Sequence, residues 1–472
     1  MRFQRFSSRG TLAVVCLATA MLMLDIAVVN TALPKIAADL HSGLAGIQWL
    51  VDAYTLALAS IVLTAGSVAD RIGRRTVFIG GITLFTATSL VCALASDMAV
   101  LDVARALQGM GAAMMFASSL AILVDAFPTE PGRAKAFAAY GATIGASFAV
   151  GPLVGGALTS GISWRAVFYV NVPLGVAALA ASRAWLRESR DSSPRAIDPI
   201  GQATLTGGLF LLVLALLRGN QGGWGSARIV AELVGAAVFL LLFVVTESRV
   251  AQPMLPLHFF RRPDFTGAQI AAFAISASFF ALFLYITLYL QEVLRLSPIQ
   301  AGLVILPGTI LMFAVSGATA ELMRRIRPGL LVVIGLVLVA AGLALMTVAG
   351  AHSAWTALLP GELVVFFGTG LLNPALAAVA MGCVPERQSG LAAGVNDAFR
   401  QGGIAVGVAA FGALVPAAAA LGHGSPEAYV TGMHTALLAG AALAAAGALA
   451  SAVLLTGLRN KVPSVELATD LA

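Results

Sequence analysis

The chain has 472 residues, of which 59% are hydrophobic and only 11% charged. A soluble domain carries about 25% charged residues, so this composition excludes a water-soluble globular protein and describes an integral membrane protein. The net charge of +6 does not point to nucleic acid, because the basic residues are distributed as a membrane would order them.

A spanning helix needs about 20 predominantly apolar residues. Fourteen such segments follow one another: 11–33, 46–69, 77–95, 100–123, 136–159, 165–184, 201–217, 227–246, 265–290, 298–320, 328–349, 354–382, 390–415 and 431–457. The first follows Arg2, Arg5 and Arg9, but it is long and lacks a small-residue cleavage site, so it reads as a retained helix rather than a signal peptide. The longest polar connections, 185–200 and 247–264, are too short for a folded soluble domain. If the N-terminus is cytoplasmic and the sides alternate, the inner segments hold 21 Lys and Arg, among them Arg195, and the outer ones hold five: Lys35, Arg165, Arg218, Arg228 and Arg295. Arg105 and Arg400 lie inside spans. This bias follows the positive-inside rule and predicts that both termini are cytoplasmic. Trp49, Trp164, Trp185 and Trp355 fall at span ends, as an aromatic belt would have them. Cys16, Cys92 and Cys383 show no CxxC spacing and read as small core residues.

The charges inside spans carry the functional signal. A charge at the bilayer centre costs roughly 2.5–3.5 kcal/mol even on the insertion scale, so an intramembrane acid is a functional candidate by default. Asp25, in "MLMLDIAVVNTALP", falls in the outer half of span 1. Asp52, in "WLVDAYTLALA", falls in the outer third of span 2, and Arg105 sits at comparable depth in span 4. A carboxylate balanced between burial and a nearby guanidinium can load and release a proton. Asp397 and Arg400 lie three residues apart in span 13 and so share a helix face, either as an intrahelical ion pair or as cavity groups. Glu362, at the start of span 12, and Glu232, near the outer end of span 8, read as interfacial. Glu292 and Asp102 read as headgroup-level residues.

An internal repeat organises the chain. "GSVADRIGRR" (66–75) follows span 2 and "GATAELMRRI" (317–326) follows span 10. Each has Gly (Gly66, Gly317), an acid four residues on (Asp70, Glu321), then paired arginines (Arg74 and Arg75; Arg324 and Arg325). Transporters built from two related halves keep such weak symmetry. An offset of eight spans, where six-span halves alone would give six, predicts two inserted spans and a 6 + 2 + 6 arrangement: residues 1–184, the insert 185–264, and residues 265–472.

Four stretches together resemble the major facilitator superfamily, and within it the fourteen-span drug:proton antiporters. "GSVADRIGRR" is similar to the family's loop between spans 2 and 3, with Val68 in place of the usual Leu. "LDVARALQGMGAA" (101–113) matches its fourth-span pattern without a mismatch. "SFAVGPLVGGAL" (147–158) matches its fifth-span antiporter pattern, except that Ser147 replaces Gly. "LDIAVVNTALPKIAADL" (24–40) is similar to the first-span signature of the drug:proton antiporters. The resemblance covers nearly the whole chain. It implies an all-α polytopic fold of two six-helix bundles plus two extra helices, and export rather than uptake. It implies a cytoplasmic gate at Gly66, Asp70, Arg71, Gly73, Arg74 and Arg75, with Glu321, Arg324 and Arg325 as the counterpart, and close helix packing at Gly151, Pro152, Gly155 and Gly156. Proton coupling is expected at Asp25, Asp52, Arg105 and Asp397. Substrate contacts are expected at Asp25, Asp52, Asn30, Gln108, Asn396 and Arg400.

No Walker sequence, metal-ligand spacing or hydrolase motif occurs in the chain. The expectation is therefore a transporter, not an enzyme, without a cofactor and driven by the proton gradient. Its partners are a lipophilic small molecule, protons and the lipid bilayer, with no nucleic acid; a periplasmic adaptor is left open. Broad drug efflux across a bacterial inner membrane leads, a dedicated natural-product exporter is the alternative, and an uptake symporter is disfavoured by the fifth-span pattern.

Overall fold

The computed structural model describes residues 8–190, 197–384, 389–422 and 424–456; Arg2, Arg5 and Arg195 lie outside them. No strand occurs among the described residues. These residues form fourteen long helices: α1 Ser8–Asp39, α2 Leu44–Ile72, α3 Arg74–Leu94, α4 Met98–Ala126, α5 Glu130–Gly161, α6 Ala166–Trp185, α7 Pro199–Gly222, α8 Ala227–Arg249, α9 Pro263–Val293, α10 Pro298–Leu322, α11 Pro328–Leu345, α12 Leu359–Gly382, α13 Ser389–Gly412 and α14 Pro426–Thr456. Each coincides with one apolar segment of the sequence.

Local chemistry sets many of the starts. Asp97, Asp198, Ser226 and Ser297 cap α4, α7, α8 and α10 by accepting from the N–H three residues on, and Ser297 with Gln300 closes a capping box. Pro199, Pro263, Pro298 and Pro328 occupy first helical positions, where a missing N–H costs nothing. Thirteen of the helices are long and apolar enough to cross a membrane. The other is α13, whose Asn396, Asp397, Arg400 and Gln401 dilute its apolar character. The segment expected to begin at 354 starts later, because Trp355–Ala357 forms a separate 3-10 turn before α12. Two π turns, Ser276–Phe280 and Tyr289–Val293, interrupt α9.

Helix neighbours recur with an offset of eight. α1 packs on α5 and α6, α2 on α4, and α3 on α4 and α6; α9 packs on α13 and α14, α10 on α12, and α11 on α12 and α14. Two seams join these groups, α5 with α10 and α2 with α13, and the same offset exchanges the one seam for the other. α7 and α8 pack on each other. α7 also lies along the α2–α13 seam, where Val213 and Leu217 bury Leu56, Ala405 and Ala409.

Most hydrogen bonds between the two groups lie away from the α2–α3 loop, toward the opposite face, while Thr309 Oγ1 donates to Ala149 O (2.8 Å) midway along the α5–α10 seam. Gln48 Nε2 donates to Tyr285 Oη (2.8 Å) and to the Val408 carbonyl (3.2 Å), and Tyr285 Oη donates to that same carbonyl (2.5 Å). Gln291 Nε2 donates to Thr31 O (2.9 Å), and Ile299 N–H donates to Ser160 Oγ (3.2 Å).

Two belt residues depart from expectation. Trp164 is 3% exposed; its Nε1 donates to Asp39 Oδ2 (2.7 Å) while Arg165 stacks on its ring, so it clasps α1 to α6 instead of facing headgroups. Trp49 packs on Phe210 of α7. Trp185 and Trp355 are exposed at helix ends.

Candidate transport site

In the first bundle α1, α3, α4 and α6 converge on Asp25, which is fully buried. Arg105 Nη1 donates to Asp25 Oδ2 (2.6 Å), while Gln108 Nε2 (3.0 Å) and Asn171 Nδ2 (2.7 Å) donate to Oδ1. Gln108 lies one turn after Arg105 on α4; its Oε1 accepts from Arg105 Nη1 (2.7 Å) and its Nε2 donates to Ser89 Oγ (2.7 Å). Arg105 Nε donates to the Leu50 carbonyl (3.3 Å), and its guanidinium lies 4.2 Å from the Tyr54 ring centroid. Charge-assisted bonds of this kind are short and strong, and removing one partner strands the other.

Arg105 forms one wall of a central cavity of ≈ 40 Å³ between the bundles. The remaining lining comes from both halves: Asn30 and Tyr54 on one side, Phe148 of α5, and Phe280, Phe283 and Val408 on the other. Asn30 Nδ2 donates to Ile26 O (2.9 Å), leaving its carbonyl oxygen for other partners. The chamber is thus apolar and aromatic, with few polar groups, and the first π turn of α9 delivers Phe280 to it. A drug-sized pocket occupies about 300–1,000 Å³, so the structure is closed around this site.

The other expected residues separate from this centre. Asp52 does not pair with Arg105. It belongs to the stripe Gln48–Asp52–Leu56, facing α13 and α7, and both its carboxylate oxygens are buried without a hydrogen-bond partner. A second cavity, ≈ 350 Å³, opens above Gln48 between Leu44, Leu217 and Gly412, one helical turn from Asp52. On α13, Asp397 is 7% exposed and its Oδ2 has no partner; the close intrahelical ion pair with Arg400 does not form. Arg400 lies toward the Phe280 ring (5.7 Å), and Asn396 Nδ2 donates to Gln269 Oε1 (3.2 Å). Sequence reading missed Asn171, Ser89 and Tyr54. "WRAVFYVNVPLG" did contain a signal for Asn171, since an Asn in an apolar run must find a partner.

Glu362, in the first turn of α12, is buried within the protein: it is 5% exposed and its Oε1 has no partner. Glu232 is ion-paired with Arg218 (3.0 Å) and Arg228 (3.2 Å), and Glu292 with Arg295 (3.3 Å). Asp102 Oδ1 is buried without a partner.

At the α2–α3 loop, Gly73 has φ 126°, a conformation that disfavours any other L-residue. Asp70 pairs with Arg74 of its own loop (3.0 Å), and Glu321 with Arg324 (3.2 Å), so both acids are held locally here. Glu188, beyond α6, accepts from the N–H groups of Arg75 (3.0 Å) and Thr76 (3.1 Å) and so closes the start of α3. Arg75 reaches the Arg183 carbonyl (3.3 Å).

The α5 glycines face two ways. A side chain at Gly151 would strike Ala27, and one at Gly155 would meet Thr31 and Val28, both on α1. Gly156 faces the opposite seam, where a Cβ would lie 2.7 Å from Ile299 Cα; Pro152 O meets Gly302 from the α5 side. One short stretch therefore seats α5 against α1 and against α10 together.

Comparison with known proteins agrees with this architecture. The model of the Major Facilitator Superfamily matches residues 15–408. The chain belongs to the major facilitator superfamily. It is 34% identical over 414 residues to the tetracenomycin C resistance and export protein of Streptomyces glaucescens, covering 86% of this chain and 75% of that one. It is also 34% identical over 407 residues to the multidrug resistance protein Stp of Mycobacterium tuberculosis, covering 86% and 76%. Among solved structures, the human organic anion transporter MFSD10 aligns with a TM-score of 0.63 over 94% of this chain and 99% of that one, at 16% identity, a likeness of fold. As a member of this superfamily the chain is a multi-pass membrane transporter, with small molecules as its cargo class.

Proposed function

We propose that this member of the superfamily exports lipophilic small molecules across the bacterial inner membrane in exchange for protons. The observation that carries the reading is the central chamber: aromatic and aliphatic walls from both bundles, with Arg105 in its lining and Asp25 directly behind. An apolar cavity discriminates poorly among hydrophobic molecules, since one methylene is worth only ~1–3 kcal/mol. Export as the direction is supported by the glycine contacts of α5 and by relatives that are named as resistance and export proteins.

On this reading residues 1–184 and 265–472 rock about the chamber, with 185–264 as the insert. Both termini are cytoplasmic, as the arginine bias supports. The bonded face, with Gln48, Tyr285 and Gln291, is then extracytoplasmic, and Asp70 and Glu321 lie at the cytoplasmic gate. Asp25, clasped by Arg105, Gln108 and Asn171, is the coupling acid: when a proton arrives, Arg105 loses its counter-charge and turns toward the chamber. One charge crossing ~150 mV yields about 3.5 kcal/mol, roughly a few hundred-fold in concentration. Asp52 and Asp397, with unpartnered oxygens, are the alternative acceptors of that coupling proton. Asn30, Gln108, Asn396 and Arg400 are candidate substrate contacts.

A dedicated exporter is the second reading, favoured by a relative named for a single compound. The experiment is transport in proteoliposomes with an imposed pH gradient. Gradient-driven accumulation of a lipophilic cation that stops in Asp25→Asn, while the dye still binds, supports the reading. Dye movement indifferent to the gradient overturns proton coupling. No dye movement, with transport of tetracenomycin C instead, selects the dedicated exporter.

A further inference from the structure

The glycine contacts fix the register between the bundles residue by residue. In the first bundle a Cβ on Gly81 would lie 2.8 Å from Gly111 O and 2.9 Å from Met115 Cγ, and one on Gly111 would meet Phe85 N at 2.8 Å. In the second, a Cβ on Gly335 would lie 2.7 Å from Gly368 O and from Leu372 Cβ, and one on Gly368 would meet Val339 N at 3.2 Å. Gly81, Phe85, Gly111 and Met115 therefore correspond to Gly335, Val339, Gly368 and Leu372. A neighbouring contact repeats with its sizes exchanged: Gly109 lies against Ala57, and Phe366 lies against Gly308. Carried back six residues from Gly111 and Gly368, this register places Glu362 at the counterpart of Arg105.

The same reasoning on α1 and α9 pairs Gly155 against Val28 with Gly407 against Ala277. The counterpart of Asp25 is then Ala274. The second bundle thus holds an acid where the first holds its cation, and a methyl group where the first holds its acid.

Glu362 sits among apolar groups. Its Oε1 would lie 2.9 Å from a Cβ on Gly308, beside Phe366, whose ring packs edge-on against Phe279 at 5.0 Å. Of the helices around α12, α11 contains no ionisable residue, and the one on α10, Glu321, is at its far end. On α9, Asp264 and Glu292 are held by Arg262 and Arg295 at the helix ends, while Tyr285 and Tyr289 bond to Val408 O and Gly350 O. Asp397 and Arg400 on α13 lie at the level of Gln269 and Phe280, Glu427 on α14 meets His352, and His434 bonds to Ala349 O. None of these is an electrostatic partner of Glu362. A buried charge without a counter-ion is among the costliest arrangements in a protein, and a bound proton removes that charge.

We propose that Glu362 is a proton-binding site of the second bundle, separate from the Asp25–Arg105 centre, and that it carries an additional proton in the transport cycle. The second clause rests on the proton-driven reading above; the first does not. With one proton exchanged for a monocation no net charge moves, and the membrane voltage contributes nothing. A proton on Glu362 makes the exchange electrogenic.

The first test needs no substrate: infrared difference spectra of the purified full-length protein across a pH titration. Wild type should show a protonated-carboxyl C=O band that is absent from Glu362→Gln and restored, displaced, in Glu362→Asp; spectra of wild type and Glu362→Gln that coincide overturn the site. Should Glu362→Gln fail to fold, Glu362→Met, of similar length and without a titrating group, takes its place. The second test reconstitutes the protein with ethidium and applies either a pH gradient or a potassium diffusion potential. Wild type should respond to both, and Glu362→Gln to the pH gradient alone. A wild type blind to voltage, or a variant that still follows it, overturns the coupling role. Failure of wild type to move ethidium at all counts against the proposed export function, and the infrared result still decides the proton site.

Discussion

Arg105 and Asp25 face each other at 2.6 Å, neither side chain more than 3% exposed, on helices 80 residues apart in sequence. Buried ion pairs seldom contribute net stability, yet losing one member costs about 3–5 kcal/mol because the survivor is stranded. Arg105→Leu should therefore lower the melting temperature of the purified protein more than Asp25→Leu/Arg105→Leu together. A double variant as unstable as the sum of the two single variants would show that the pair does not act as a unit.

Asn171 touches Asp25 and not the chamber, so it orients the acid without meeting cargo. Removing one hydrogen bond to a buried charged group costs about 1.5–3 kcal/mol. Asn171→Leu should lower the maximal transport rate by roughly tenfold or more and leave the half-saturating substrate concentration unchanged. An equal change in both would place Asn171 in substrate binding.

The bonds from Gln48 to Tyr285 and Val408 hold the α2–α13 seam closed on the face opposite the α2–α3 loop. Each net hydrogen bond is worth about 0.5–1.5 kcal/mol, so Gln48→Leu should shift the population toward opening there by up to an order of magnitude. Spin-label distances between Ala45 and Ala417 positions, each converted to cysteine, would report it. Distributions identical to those of the Gln48-containing protein would assign closure to the apolar contacts instead.

Gly155→Val would drive a branched side chain into Val28 and Thr31. Overpacking of this kind costs typically 1–3 kcal/mol. Reduced melting temperature together with lost transport is expected; Ser147→Gly, which restores the usual residue of the antiporter pattern, should leave both near wild type. A tolerant Gly155 would mean that α1 and α5 separate without penalty.

Asp70→Asn removes the ion pair with Arg74 at the α2–α3 loop. It should slow transport with little loss of substrate affinity, measured as turnover against equilibrium binding. Equal losses in both would count against a gating role.

Sequence alone revealed the helices because the bilayer imposes a length and a composition on every span, and polar interruptions such as 185–200 have few meanings. It revealed Asp25, Asp52 and Arg105 because charge in an apolar run is conspicuous. It did not reveal which of them touch. Arg105 lies on α4 at a depth that serves either acid, and only the rotation of α2 about its axis sends Asp52 toward α13. Trp164 looked like a headgroup anchor because its partner, Asp39, is 125 residues away. Glu362 looked interfacial because it lies near a helix start; the packing of α10 over that start buries it.

α7 covers one of the two seams and leaves its symmetry mate uncovered. Along α2 and α13 the wall is sealed by Phe210 against Trp49, by Val213 and Leu217, and by Gln202 hydrogen-bonded to Thr64. Along α5 and α10 no further helix intervenes among the described residues, and Val150, Ile310 and Phe313 stay exposed. A molecule dissolved in the acyl chains thus meets a double-thickness barrier on one flank and a single joint between two helices on the other. α7 turns a carrier with two equivalent sides into one with a front and a back.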